Sequence, residues 1–218
     1  MVRKVLSVNI AHHYSDGPRG KTGFDKRPTT EPVAVRAPGD RRKGLGSGLA
    51  GDLIGNRKSH GGDDQAVYAY AREDLDAWEG ELDRSLANGM FGENLTTAGV
   101  DVTGAVIGER WRVGSDGLIL EVSRPRTPCR TFTHFLGIRG WMNTFTRAAK
   151  PGAYFRVIAP GLLRADDAVT IIERPDHDVT IGQVFRAMMT EPELLPGILT
   201  AEALADEVKQ LARRRIGG

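Results

Sequence analysis

Three arginines and two prolines crowd the single cysteine of this chain, in Arg124-Pro125-Arg126-Thr127-Pro128-Cys129-Arg130. The thiolate, not the thiol, is the nucleophile and the metal ligand, and cationic neighbours favour it. The stretch therefore suits a sulfur that reacts or ligates, although a lone thiol can also serve as a small buried hydrophobe. A second stretch, Arg57-Lys58-Ser59-His60-Gly61-Gly62, supplies donors suited to an anion, and its two glycines let the backbone approach a ligand closely. Arg57, Lys58, His60, Arg124 and Arg126 are expected to converge in one cleft near Cys129. Residues 39–51 hold glycines with Arg41, Arg42 and Lys43, but no Gly-Lys-Ser/Thr closes them, so they read as a solvated loop rather than a phosphate cradle. The adjacent His12 and His13 resemble a solvated loop more than a metal site. Glu93 and Asn94 sit in a polar turn, where they could simply stabilise the turn or face a ligand.

The elements that must position these groups follow from periodicity. Leu118, Leu120 and Val122 alternate as a strand, and the prolines that follow forbid its continuation, so Cys129 should lie on a stiff loop just past a strand end. Ser115-Asp116-Gly117 is a hairpin signal entering that strand. Further strands are expected over residues 5–10, 31–37 (Val33 and Val35 inward), 152–163 and 169–172, with a strand, a turn and a strand over 100–113. Residues 11–22 read as a surface loop. Leu75, Trp78, Leu82 and Leu86 repeat at helical spacing over 71–86, and 132–150 reads as helix plus loop. Many short strands separated by glycines predict a barrel or sandwich. Beyond Pro175 the texture turns helical, with Thr180 capping 181–189 and Thr200 capping 201–215. The fold class is α+β, mainly β over residues 1–174 with a helical appendix over 175–218. That appendix has too few residues for its own core. It should pack Phe185, Met189, Leu204, Val208 and Leu211 on the β domain, covering one side of the cleft or offering a docking surface.

Composition excludes several classes. With 218 residues and 40% hydrophobic content the chain can bury a proper core, and no run approaches a membrane span. The N-terminus reads as a strand rather than a signal peptide, which places the protein in the cytoplasm. One cysteine leaves no intramolecular disulfide and no CxxC zinc pair. Thirty basic against 28 acidic residues, a formal net charge of +2, fall short of a dedicated nucleic-acid binder. Arg213, Arg214 and Arg215 suit the end of a helix dipole rather than a nucleic acid.

Five pieces now stand in order: Gly51-Asp52, His60-Gly61-Gly62 with Gln65-Ala66-Val67-Tyr68, Phe91-Gly92-Glu93-Asn94-Leu95, Arg124 to Cys129, and Gly152-Ala153-Tyr154-Phe155-Arg156-Val157. Together they resemble the MOSC family (molybdenum cofactor sulfurase C-terminal domain), in its bacterial YiiM-like branch with a C-terminal three-helix extension. The resemblance implies a MOSC-type β-barrel that binds a molybdenum-pterin cofactor (molybdopterin). It implies reduction of N-hydroxylated compounds such as hydroxylaminopurines to amines, a detoxifying activity, with electrons from an external donor protein. Pyridoxal phosphate binding also enters at the level of the family. By resemblance Cys129 is the catalytic residue and molybdenum ligand. Lys26, Arg57, Lys58, His60, Gly61, Gly62, Phe91, Gly92, Glu93, Asn94, Arg124, Arg126 and Thr127 match positions around the cofactor. Glu109 stands where the pattern has aspartate, and a structural role is expected for it. Thiolate is a soft ligand suited to a thiophilic metal. Two other readings remain: a non-catalytic cofactor carrier or sulfur relay through Cys129, which needs an exposed sulfur, and a Cys-His hydrolase pairing Cys129 with His60 or His134.

Overall fold

The computed structural model describes residues 2–218. β1 (Lys4–Ile10) is followed by a small hairpin, β2 (Ser15–Gly17) and β3 (Gly20–Thr22), inside the segment expected to be a loop. β4 (Arg27–Thr29) folds back on β1, and β5 (Val33–Val35) buries Val33 and Val35 as their alternation predicts. β6 (Val67–Ala71) and β7 (Leu95–Ala98) pair in parallel, which demands a crossover; α1 (Arg72–Leu82) supplies it. α1 buries Leu75 and Trp78, but it stops at Leu82 because Asp83 turns left-handed (φ 49°), so the buried Leu86 lies past its end.

β8 (Arg110–Val113) and β9 (Leu118–Pro125) form the expected hairpin. Residues 100–109 make no strand of their own, contrary to expectation; Val106 makes only an isolated bridge to Thr180. Two short helices follow, α2 (Arg130–Leu136) and α3 (Trp141–Ala148), then β10 (Ala153–Ala159), β11 (Gly161–Leu163) and β12 (Val169–Glu173).

The main sheet has eight strands in the order β12-β8-β9-β10-β6-β7-β1-β4, and β11 pairs β5 in a separate small sheet. The expected closed barrel is not formed. The edge of β1 away from β7 is shared: Val8, Asn9 and Ile10 pair with β4, while Lys4 makes one isolated bridge to Ala168. Around that bridge Val5 N donates to Asp167 O (2.9 Å), Asp166 N to Val5 O (2.8 Å) and Val169 N to Arg3 O (3.0 Å). The two ends of the sheet thus meet at a short seam rather than along a strand ladder.

The C-terminal segment contributes α4 (Ile181–Met189), α5 (Leu195–Ile198) and α6 (Asp206–Ile216). Thr180 caps α4 as expected, accepting from Gln183 N at 3.2 Å. Thr200 caps nothing: its hydroxyl donates to Gly197 O, and α6 begins only after Ala205. Ile181, Val184, Leu195, Ile198, Leu204 and Val208 join the apolar cluster built from the inner faces of β1, β8, β9 and β10, so these helices and the sheet share one core. Leu211 and Met189, expected in that contact, are only partly covered and exposed respectively. A second cluster is aromatic and includes Trp78, Phe91, Phe132, Trp141 and Phe145, most of its ring pairs edge-to-face or tilted. Such pairs contribute about 0.5–1.5 kcal/mol each beyond their buried area. Glu109 takes its expected structural role, accepting from Trp111 Nε1 (2.6 Å) and Arg174 Nε (2.7 Å) in the core. No helix among the described residues is long and apolar enough to cross a membrane.

Candidate functional site

β9 ends at Pro125, and Cys129 follows in extended conformation (φ −140°, ψ 166°) as the residue from which α2 starts. The proline-rich connection so holds Cys129, half-buried, on the wall of a cleft of about 530 Å³. The cleft is bounded by the end of β9, the β2–β3 hairpin, residues 53–61, the turn around Phe91 and the first turn of α6.

Its floor is cationic. Arg126 is 6% exposed, with its guanidinium carbon 3.8 Å from the Phe132 ring centroid and 5.4 Å from those of Phe24 and Tyr68. Its Nη1 is buried without a hydrogen-bond partner, as is Nε of Arg124. Arg124 Nη1 donates to Glu207 Oε2 of α6 at 3.0 Å. Arg126 has no carboxylate partner among the described residues, and a buried charge without a partner costs several kcal/mol, so this part of the cleft suits an anion. His60, half-buried on the same cleft, registers the field: burial first, then the guanidinium groups of Arg126, Arg124 and Arg41, push its pKa down to about 4. The imidazole is therefore neutral at pH 7.

Behind the cations lies a buried carboxylate that holds several loops in register. Asp52 accepts from Lys26 Nζ (2.5 Å), Ala11 N (2.9 Å), Ser47 Oγ (2.7 Å) and Asn94 Nδ2 (3.0 Å). Burial opposes its ionisation, but the Lys26 ammonium and these hydrogen bonds outweigh burial and hold its pKa below the usual carboxylate value. Lys26 faces the cleft already paired with this carboxylate. Asn94 also accepts from Tyr68 N (3.1 Å) and donates to Asn9 O (3.3 Å), tying β6 to β1.

Of the residues singled out from sequence, the cleft brings together Lys26, Lys58, His60, Gly61, Phe91, Gly92, Asn94, Arg124, Arg126, Thr127 and Cys129. Three lie off it. Arg57 turns to the 39–51 loop and donates to the carbonyls of Gly44 and Arg42. Gly62 has φ +81°, and a Cβ there would lie 2.9 Å from Arg41 Cα, so the glycine serves close loop packing rather than approach to a ligand. Glu93 is wholly buried and accepts from Gly89 N (2.6 Å), Phe91 N (3.0 Å) and Thr96 Oγ1 (2.8 Å), which fixes the turn that presents Phe91 and Gly92. Sequence reasoning missed Arg19 and Lys21 of the β2–β3 hairpin, Tyr68 and Glu207, all of which line the cleft. The hairpin cations sat in a segment taken for a loop, and nothing local marks Glu207.

No group of three His, Cys, Asp or Glu side chains among the described residues could hold a metal. A metal at Cys129 would have to arrive with ligands of its own. The residues present suit such a group: one soft sulfur on the wall, the buried guanidinium of Arg126 and the partly buried one of Arg124. Among the described residues no hydrogen bond joins Cys129 to a histidine, and His134 is exposed outside the cleft.

The family model for the MOSC domain matches residues 56–170. Over 180 residues the chain is 32% identical to the uncharacterized protein YflK of Bacillus subtilis, covering 81% of this chain and 76% of that one. It is 32% identical over 177 residues to a protein of Gibberella moniliformis named reductase, covering 78% of this chain but only 31% of that much longer one. The crystal structure of YiiM from Geobacillus stearothermophilus superposes with a TM-score of 0.78 at 23% identity, over 98% of both chains, a likeness of fold.

Proposed function

The chain belongs to the MOSC domain family, and from that premise we propose that it is a molybdenum-cofactor-dependent oxidoreductase that reduces N-hydroxylated compounds, hydroxylaminopurines among them, to amines. The observation that carries the proposal is the sole cysteine standing on a cleft lined by the buried guanidinium of Arg126 and the partly buried one of Arg124, each with one buried N–H that has no partner. The name of the Gibberella relative supports the redox class. The net reaction is R–NH–OH + 2e⁻ + 2H⁺ → R–NH₂ + H₂O, with the electron pair drawn from an external donor protein.

In this reading Cys129 would hold the molybdenum, and Arg124 and Arg126 with Lys58 and the neutral His60 would hold the pterin phosphate. When bound, the cofactor would supply two-electron redox chemistry. The chain's own part is to bind, orient and keep water out. Arg126 is fixed by stacking on Phe132, so little side-chain freedom is lost when an anion reaches it. Phe24, Phe91 and Tyr154 give the cleft apolar walls against which a planar heterocycle can lie.

Protein made in a cofactor-competent host should contain molybdenum and pterin in near-stoichiometric amount and reduce an N-hydroxylated purine with a chemical electron donor. Cys129→Ser should lose that activity, because a hydroxyl replaces a soft thiolate. Full reductase activity in metal-free protein would sink the assignment. A cofactor-loaded protein that turns over no N-hydroxylated substrate would instead favour a carrier.

A further inference from the structure

Glu207 is the only carboxylate on the cleft among the described residues, and it comes from α6, outside the 56–170 region that matches the MOSC domain. Its Oε2 accepts from Arg124 Nη1 at 3.0 Å and from Arg41 Nη2 at 2.6 Å. The Arg124 side chain is 13% exposed, and its Nε remains buried and unpartnered. The two guanidinium groups of the floor are therefore steered by different means: Arg126 by the ring of Phe132, Arg124 by a carboxylate.

We propose that Glu207 is a positioning residue for anion binding: it holds the Arg124 guanidinium by Nη1 at the wall of the cleft, making the C-terminal segment a working part of the site. The inference rests on the anion-binding reading of the cleft given above. An arginine has several rotatable bonds, and ordering such a side chain at the moment of binding costs roughly two- to tenfold in affinity. A fixed acceptor meets that cost in advance, during folding. Arg41 completes the arrangement, because its backbone packs on Gly62 while its side chain shares the Glu207 oxygen, so the His60-Gly61-Gly62 loop and β9 are joined through one carboxylate.

Charge and position act in opposite directions here, which makes the idea testable. Glu207 offsets part of the positive field, so a purely electrostatic role predicts that its removal tightens anion binding. A positioning role predicts the reverse. Binding of inorganic phosphate to the 218-residue chain, purified without added cofactor, is measured by titration calorimetry at low ionic strength. Glu207→Ala should weaken binding about five- to tenfold, while Glu207→Gln, which keeps an acceptor oxygen without the charge, should stay within about twofold of the parent. In an Arg124→Ala background, where Arg126 remains to bind phosphate, Glu207→Ala should change affinity by less than about twofold. Unchanged melting temperatures would show that the exposed position leaves the fold intact. Tightening in both variants, no change in either, equal loss in both, or an equal loss in the Arg124→Ala background would each overturn the proposal. Failure of the parent chain to bind phosphate would overturn the anion site itself, and this inference with it.

Discussion

The guanidinium carbon of Arg126 lies 3.8 Å from the centre of the Phe132 ring, and no carboxylate pairs with it among the described residues. A cation buried on a ring without a counter-charge is a stability cost retained for binding. Arg126→Met, similar in length and apolar, should raise the melting temperature by a few degrees, corresponding to about 1–2 kcal/mol. The same variant should lose at least about tenfold in phosphate affinity. Calorimetric melting and titration of one preparation check both halves, and a destabilised variant that still binds would contradict them.

His60 gives a prediction with a definite pH window. Its pKa is pushed down to about 4, from 6.5, by burial and by the Arg126, Arg124 and Arg41 charges. The unfolded chain therefore takes up this proton first, and stability attributable to His60 is lost as pH falls from about 6.5 towards 4. Above 6.5 the residue makes no difference. His60→Gln should flatten the melting temperature against pH inside that window and not outside it. Adding phosphate to the parent chain should raise the imidazole pKa seen by NMR, since an anion offsets the arginines. A His60 resonance titrating near 6.5 without phosphate would show the field to be absent.

Asp52 and Lys26 form a buried pair, with side chains 0% and 6% exposed. Asp52→Asn strands the ammonium and should cost about 3–5 kcal/mol, read as a fall of roughly 10 °C or more in melting temperature. Lys26→Met in the same chain should recover most of the loss, because the stranded charge goes with it. The pKa of Asp52 is lowered, so the pair's contribution is present above the ordinary carboxylate pKa of 3.8 and is lost as pH falls below it. A single Asp52→Asn variant as stable as the parent would mean that Lys26 is not buried with that carboxylate.

Deleting the chain after Arg174 tests the division between the β domain and its helical extension. The cut removes Ile181, Val184, Leu204 and Val208 from a core they share with the strands, along with the hydrogen bond from Ile107 N to Val179 O and the Glu207 contact. The truncated chain should melt at least about 10 °C lower or fail to fold, as expected when several large core side chains are lost at about 2–5 kcal/mol each. A truncated chain matching the parent in melting temperature and phosphate affinity would make the extension independent of the site.

What the sequence disclosed depended on whether the determinant was local. Leu118, Leu120 and Val122 carry their own alternation, Thr180 its own capping geometry, and the prolines around Cys129 their own stiffness, so the strand, the cap and the loop could all be read. Thr200 looked like a cap, yet Ala201 and Leu204 are drawn into the core and the helix starts only at Asp206; tertiary burial overrode a good local signal. Arg57 and Lys58 are adjacent and chemically alike, but a loop carbonyl captures one and leaves the other on the cleft, a choice made by packing alone. Glu207 is some 80 residues from Arg124, and no periodicity links them. The barrel failed as an expectation for a related reason: strand count and glycine spacing predict β architecture, whereas closure depends on how β1 divides one edge between two partners.

That shared edge also bears on how the protein is made. The partners of residues 3–5 at the seam lie near Asp166, 162 positions after Lys4. At about 5–20 residues per second, on the order of 10–30 s of synthesis separates them. For most of that interval the first strand is outside the ribosome with half of one edge unpaired, the condition under which strands recruit the wrong chain. Arg3 and Lys4 stand at that edge, and their charge is the kind of feature that keeps a waiting strand from pairing with a copy of itself. The short seam of the finished fold is thus matched by a protective charge at the stage when it does not yet exist.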